Sequence, residues 1–188
     1  MRSTVILMAI VLAVAPAPAL ADSGPAIKYT TSFEEGIAGW VLDYWGTLAT
    51  EQVSTEQAHT GTHALKHVIA SGANGGSYYD SPSGGNAILV EGARYFISAW
   101  LWANTPESSV VWLHDIGSPS NGTVRVSGDS ARPNQWQLVG GVFTATATRR
   151  VRIHLHSSAA DNVFWDDVEV VEESLDHWRF RTGASTPL

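Results

Sequence analysis

Short runs of alternating apolar and polar residues dominate the chain between residues 27 and 171. Gly, Ser, Asn and Pro separate these runs at short intervals, a pattern typical of strands joined by turns, and no long stretch follows helical periodicity. The pattern predicts an all-β fold, a β-sandwich. Strands are expected at 27–33, 40–45, 50–53, 64–68, 76–80, 87–89, 94–102, 109–114, 123–126, 135–144, 150–156 and 163–171.

The alternation also divides each strand into two faces. In strand 94–102, Ile97 and Leu101 belong to an apolar face that suits a core, whereas Trp100 and Trp102 share the opposite face. The predicted strands 109–114 and 150–156 repeat this division. If all three strands share a sheet, its outer face carries aromatic and polar side chains together. The outer positions of these two strands are Val110, Trp112, His114, Arg152, His154 and His156.

Such a face has the chemistry of a sugar-binding surface. Flat aromatic rings pack on the C–H faces of sugars, and imidazole, guanidinium and amide groups hydrogen-bond hydroxyls. Two other interpretations stay open: the Trp residues belong to the core or lie under a loop, and the His pair at 154 and 156 is a solvated strand face or binds a transition metal. The candidate ligand-binding residues are Trp100, Trp102, Trp112, His114, Arg152, His154, Tyr44 and Trp45.

The two ends of the chain differ from this pattern. Arg2, an uncharged apolar run over 5–14 and the small residues Ala19 and Ala21 predict a signal peptide over 1–21, hence a secreted protein that begins at Asp22. The alternative is a buried N-terminal helix. The apolar run is too short to span a bilayer. The remainder is expected to form one domain, 22–173, followed by a partly disordered C-terminal tail, 174–188.

Composition narrows the function classes. The chain has 11 Lys and Arg against 18 Asp and Glu, a net charge of −7, and no basic cluster. Nucleic acid is therefore not an expected partner, because binding it requires phosphates to be neutralised. No cysteine is present, so neither disulfides nor thiolate metal sites can stabilise an exported fold. We expect a monomer stabilised by its core, with or without a hard cation.

Three segments carry a resemblance to a known family. They are SFEEGIAGW at 32–40, AHTGTHALK at 58–66 and VFWDDVEV at 163–170, with Tyr95 to Trp102, Gln135-Trp136 and Phe143-Thr144 between them in the same order. Together they resemble the secreted carbohydrate-binding modules of the xylan- and glucan-binding type, which are often attached to glycoside hydrolases. The similarity spans about residues 29–171.

The resemblance implies a two-sheet antiparallel β-sandwich, a galactose-binding-domain-like jelly roll with one sheet curved into a groove for polysaccharide. It also implies a structural Ca²⁺ that joins the first and last strands. The matching carboxylates are Glu34 and Asp166, with a main-chain oxygen near Thr62 or His63 as a third ligand. Asp166 is expected to share a strand face with Phe164 and Val168 and to point inward. The alternative is that Asp166 caps backbone amides.

These features favour non-catalytic binding of a polysaccharide or oligosaccharide such as xylan or β-glucan. Candidate acids are scattered along the chain, and no nucleophile motif or His-Glu-x-x-His run is present. Two alternatives remain: a polysaccharide-active enzyme on a jelly roll, either a lyase or an accessory to a glycoside hydrolase, and an extracellular protein-interaction or adhesion module.

Overall fold

The computed structural model describes residues 27–37, 39–42, 49–81, 89–116 and 118–173. The expected signal peptide, the expected tail at 174–188 and the candidate residues Tyr44 and Trp45 lie outside these ranges. In the described part of the chain, no helix has the length and hydropathy needed to cross a bilayer.

Eleven strands and one short 3-10 helix, Pro106–Ser108, make up the described elements. The strands are β1 (Ile27–Thr31), β2 (Trp40–Val41), β3 (Ala49–Ser54), β4 (Ala64–Ile69), β5 (Gly75–Asp80), β6 (Arg94–Trp102), β7 (Ser109–Asp115), β8 (Ser118–Ser127), β9 (Gln137–Thr144), β10 (Val151–Ser157) and β11 (Asp161–Glu172).

The strands form two antiparallel sheets. A six-stranded sheet has the order β3-β4-β11-β6-β9, with β1 paired to the second part of β11. A five-stranded sheet has the order β2-β5-β10-β7-β8. The structure confirms the all-β, two-sheet sandwich of the jelly-roll class.

The core lies between the sheets and is built from alternate residues of the central strands. Ile97 and Leu101 from β6 are fully buried, as are Leu113 from β7 and Leu155 from β10, and Trp165 from β11 lies among them. Burial of these large apolar side chains supplies the main favourable free energy of folding. The apolar face predicted for residues 94–102 is therefore the core face.

A β-bulge interrupts β11. The register with β6 shifts between Asp166 and Glu169, and Asp167 adopts a φ of 44°. A bulge inserts an extra residue, so Trp165 and Val168 both face the core. Asp166 lies opposite Trp100 on the outer face of the six-stranded sheet. The expectation that Asp166 shares a face with Val168 and points inward is wrong, because the bulge reverses the alternation between them.

A chain of polar contacts crosses between the two sheets. His67 of β4 is fully buried, and its Nε2 lies 3.0 Å from the Ser77 hydroxyl of β5. That hydroxyl donates to Glu51 Oε2 of β3 at 3.0 Å. Burial lowers the pKa of His67 to about 3, with His156 as a further cause. His67 is thus neutral in the folded protein at ordinary pH.

The strand predictions hold best where the alternation is longest. Residues 94–102 form a strand with the predicted bounds, whereas β8 begins at Ser118, earlier than residue 123. Of the predicted strand 40–45, the described part forms a strand only at 40–41. At 87–89 the described residue Leu89 makes an isolated bridge with Arg149 rather than a strand.

Substitution of two leucines by alanine tests the assignment of the core face. Leu101 is fully buried, whereas Leu138 on neighbouring β9 is 42% exposed. Leu101→Ala should lower the free energy of unfolding by about 2–5 kcal/mol, and Leu138→Ala should change it by no more than about 0.5 kcal/mol. Urea denaturation followed by fluorescence measures both, and equal losses would contradict the assignment.

Candidate functional site

The candidate residues divide between the two outer surfaces of the sandwich. Strand β6, with Trp100 and Trp102, belongs to the six-stranded sheet, whereas β7 and β10 are neighbours in the five-stranded sheet. The prediction that these three strands share a sheet is wrong. Alternation specifies which residues share one face of a strand, but it does not specify the sheet to which the strand belongs.

The five-strand face, as we name it, comprises Tyr78, Trp112, His114, Arg152 and His154. The register brings these residues together, because His154 of β10 lies opposite Tyr78 of β5 on one side and Trp112 of β7 on the other. Arg152 lies opposite His114 in the adjacent row. All five side chains project away from the core, since their neighbours Leu113, Ile153 and Leu155 belong to it.

Ring contacts connect the members of this face. The rings of Tyr78 and His154 are stacked at 5.8 Å, and those of Trp112 and His154 lie 5.4 Å apart. His114 contacts both, at 4.6 Å from Trp112 and 4.7 Å from His154. Arg125 of β8 extends the row, with its guanidinium 5.5 Å from the Trp112 ring. Four adjacent strands therefore carry one continuous row of planar groups.

Arg152 is held in place by two contacts. It forms a bidentate ion pair with Asp80, in which its Nη2 donates to Oδ2 at 2.7 Å and its Nε donates to Oδ1. Its guanidinium also lies 3.7 Å from the centre of the Tyr78 ring. A bidentate pair orients a guanidinium plane, so Arg152 presents a fixed set of donors beside an aromatic ring.

The side chains of the five-strand face differ in solvent exposure. His114 and His154 are each 2% exposed, whereas Tyr78, Trp112 and Arg152 are partly exposed. Burial lowers the pKa of His154 to about 3, with the neighbouring His114, Arg152 and His156 as further causes. Burial also lowers the pKa of His156. The face therefore has the neutral imidazole of His154 at its base, beside the buried His114, and aromatic and guanidinium groups nearer the solvent.

Sequence reasoning missed three members of this neighbourhood. Tyr78 and Asp80 occupy alternate positions of β5, and Arg125 lies opposite Trp112 in β8. Alternation within residues 75–80 could have identified the first two. The position of Arg125 depends on strand pairing, which alternation alone does not reveal.

On the outer face of the six-stranded sheet, the two candidate tryptophans contact different side chains. His59 stacks on Trp100 with ring centroids 3.7 Å apart and an interplanar angle of 13°. Trp136 approaches the same His59 at 5.7 Å. Trp102 instead meets Phe164 edge to face at 5.5 Å. A loop residue thus covers one face of the Trp100 ring.

The loop at 58–63 is fixed to the bulge of β11 through two carboxylates. Asp166 Oδ2 accepts the backbone N–H groups of His59, at 2.8 Å, and Thr60, at 3.1 Å. Asp167 bonds the His59 ring Nδ1 at 2.6 Å and accepts the Thr60 hydroxyl at 2.7 Å. Asp166 is fully buried in this arrangement, and burial raises its pKa.

Glu34 binds the other end of the same loop. Its Oε1 accepts the backbone N–H groups of Thr62, at 2.9 Å, and His63, at 2.7 Å. Its Oε2 accepts the Thr62 hydroxyl at 3.0 Å and lies 3.1 Å from His63 Nδ1. The His63 side chain, together with the backbone amides, lowers the pKa of Glu34 to about 2.

Comparison with known proteins bears on the fold. No family model matches the sequence, and a search of curated proteins finds no match. Among solved structures, the first xylan-binding domain of Paenibacillus barcinonensis Xyn10C has a TM-score of 0.56 at 16% identity, covering 80% of this chain and 97% of that one. A family 4 carbohydrate-binding module has a TM-score of 0.56 at 20% identity, covering 76% and 100%. This chain has the jelly-roll fold of those modules.

A Clostridium thermocellum Xyn10B fragment, containing a family 22 module and a catalytic module and complexed with xylohexaose, shares the same jelly roll. Its TM-score is 0.57 at 17% identity, and the similarity covers 79% of this chain and 29% of that one. At these identities the likeness establishes the jelly roll, and the properties of a site must be argued from this chain's own residues.

The calcium expectation can be compared with the donors around Glu34 and Asp166. Both carboxylates accept backbone N–H groups of the loop at 58–63, which do not ligate a cation, and Glu34 also accepts the Thr62 hydroxyl, whose oxygen is a possible ligand. Within the described ranges, no group of three or more His, Cys, Asp or Glu side chains could hold a metal ion. The bonds shown stabilise both carboxylates without a cation, and the calcium stays a prediction.

A chelator tests this prediction. If Ca²⁺ joins Glu34 and Asp166, EDTA should lower the melting temperature and excess CaCl₂ should restore it, because an ion that binds only the folded state stabilises that state. Thermal denaturation followed by circular dichroism measures the shift, and Glu34→Gln should abolish it. A melting temperature that responds to neither EDTA nor Ca²⁺ would contradict the prediction.

Two buried histidines should make the stability depend on pH. His67 and His154 have folded pKa values of about 3. Below about pH 6.5 they take up protons in the unfolded chain but not in the folded one. The free energy of unfolding should therefore fall as the pH decreases from about 6.5 towards 3, by up to about 1.4 kcal/mol per pH unit for each histidine.

Urea denaturation between about pH 7.5 and pH 5 measures this slope. His67→Gln and His154→Gln should each reduce this slope by up to about 1.4 kcal/mol per pH unit, which corresponds to one proton. A slope that neither substitution changes would show that these histidines are already protonated in the folded protein.

Proposed function

We propose that the chain binds a neutral polysaccharide without catalysing its cleavage, and that the five-strand face is the binding surface. The observation that carries the proposal is the row formed by Tyr78, His154 and Trp112 on three adjacent strands, with Arg152 beside it. It lies on the outer face of one sheet in the fold of the xylan-binding modules.

The geometry of the row supports a chain of sugars as the ligand. Adjacent strands lie about 4.8 Å apart, so a row from β5 to β8 extends roughly 14 Å across the sheet. The partly exposed rings of Tyr78 and Trp112 offer surfaces to the C–H faces of sugars, with the buried His154 packed between them. The guanidinium groups of Arg125 and Arg152 offer donors to hydroxyls. Xylan and β-glucan are the substrate class we infer.

The acids on the face support binding rather than hydrolysis. Glycoside hydrolysis by the usual route requires two carboxyl groups on either side of the scissile bond. Among the side chains described on this face and its border, Asp80 is the one carboxylate, and Arg152 occupies both of its oxygens. A paired acid and base are therefore missing from the described part of the surface.

Secretion after cleavage near Ala21 and a monomeric state are predictions from sequence and remain part of this proposal. An exported protein would meet plant or microbial polysaccharide outside the cell, which agrees with the ligand class inferred from the five-strand face.

Removal of the central indole tests the binding surface. Trp112→Ala should weaken binding to soluble xylan or β-glucan by about 1–3 kcal/mol, roughly 5- to 150-fold, because it removes an aromatic anchor. Affinity gel electrophoresis measures the loss. Trp136→Ala is the matched control, since Trp136 is partly exposed beside His59 on the other sheet, and thermal denaturation confirms that both variants fold.

Three results would count against the proposal. Equal retardation of the Trp112→Ala variant and the unsubstituted protein would place the binding surface elsewhere. Release of reducing ends or unsaturated sugars would identify an enzyme. Absence of binding to every neutral polysaccharide on a glycan array would leave the protein-interaction alternative.

A further inference from the structure

A separate cleft of about 310 Å³ opens on the opposite side of the sandwich. It lies where β6 ends and β11 begins, and loop residues complete it. Its volume falls at the lower end of the range of small-molecule sites, roughly 300–1,000 Å³. Its lining includes Gln57, Trp102, Asn104, Asn134, Asn162 and Phe164.

Two aromatic rings form the apolar part of this Trp102 cleft. Phe164 of β11 lies opposite Trp102 of β6 in the register, and their rings meet at 5.5 Å with an interplanar angle of 79°. Phe164 is 2% exposed, and the Lys66 ammonium lies 5.4 Å from the centre of its ring. The buried Phe164 ring thus packs against the partly exposed indole of Trp102.

Side-chain amides form much of the polar part. Asn134 Nδ2 donates to Asn104 Oδ1 at 3.3 Å, and the backbone N–H of Asn134 donates to the carbonyl of Ala103 at 2.7 Å. Within the described residues, the structure shows no side-chain hydrogen bond for Gln57 or Asn162. An amide offers both a donor and an acceptor, which matches a hydroxyl group.

The two carboxylates at the cleft are bonded within the protein. Glu56 is paired with Lys66, whose Nζ lies 2.6 Å and 2.7 Å from its two oxygens. Asp161 Oδ2 accepts the backbone N–H groups of Asn104 and Thr105, each at 2.8 Å, and the Thr105 hydroxyl at 3.0 Å. Two carboxylates near the opening disfavour an anionic ligand, and both already have partners.

We propose that the Trp102 cleft is a second carbohydrate site, which takes one or two rings of a neutral sugar. An indole surface beside four amides, with both carboxylates bonded within the protein and a small volume, has the chemistry for a short polyhydroxylated ligand. The site belongs to a different sheet from the five-strand face and does not depend on it. One chain would then engage two polysaccharide segments at once, and avidity would strengthen attachment to a surface.

NMR titration of the ¹⁵N-labelled protein with xylotriose and with cellotriose tests both sites separately. The indole N–H resonances of Trp102 and Trp112 are assigned by their loss in Trp102→Ala and Trp112→Ala. We expect both resonances to shift on titration, with separate dissociation constants, and the Trp102 response to persist in Trp112→Ala.

Asn162→Ala provides a milder variant in case Trp102→Ala does not fold. Asn162 is exposed at the cleft, and Asn74→Ala is the matched control at an exposed position before β5. Asn162→Ala should raise the dissociation constant reported by Trp102 severalfold, through loss of a hydrogen bond to the sugar. It should leave the constant reported by Trp112 unchanged, and Asn74→Ala should alter neither.

The outcomes separate the two proposals. Shifts of Trp112 alone would overturn the second site and leave the five-strand face intact. Shifts of Trp102 alone would support the second site and contradict the five-strand face as the binding surface. A Trp102 response to glucuronic acid without one to the neutral sugars would overturn the assignment of a neutral ligand.

Discussion

The structure depends on burial of one side of each central strand between two sheets. Every second residue of β6, β7 and β10 enters a shared core, and the sequence contains no cysteine that could reinforce it. Strand geometry then directs the intervening residues to the two outer surfaces. The same alternation that builds the interior therefore supplies the two surfaces on which we place ligand binding. The two surfaces lie on opposite sides of the molecule because each is the outer face of a different sheet.

The bulge in β11 links this regular interior to an irregular loop. The extra residue at Asp167 places Asp166 on the outer face, where it accepts N–H groups of the loop at 58–63. Asp167 then holds the His59 ring, which stacks on Trp100. The bulge at Asp167 thus positions the loop residue that covers one face of the Trp100 indole. Glu34 restrains the far end of the loop in a similar way.

The sequence predicts the sandwich and the division of strand faces well, because both follow from local alternation. It predicts pairing poorly. Trp102 and Trp112 have the same alternation, yet they lie on different sheets, since assignment to a sheet depends on contacts between residues distant in sequence. The bulge at Asp167 was equally hidden, because Trp-Asp-Asp-Val contains no glycine, and Asp tolerates a positive φ without requiring one. Arg125 joins the five-strand face through register with Trp112, which sequence alternation does not encode.

The position of β11 has a consequence for how the molecule is made. This strand is the last of the described elements, yet it lies inside the six-stranded sheet and pairs with β1, β4 and β6. Until residues 161–172 have been synthesised, β4 and β6 have no strand between them and the first strand has no neighbour. Assembly of the sheet must therefore wait for the distal part of the polypeptide, and contacts of such high sequence separation form slowly. The five-stranded sheet does not include β11, so the two layers of the sandwich differ in how much of the chain each needs before it can close.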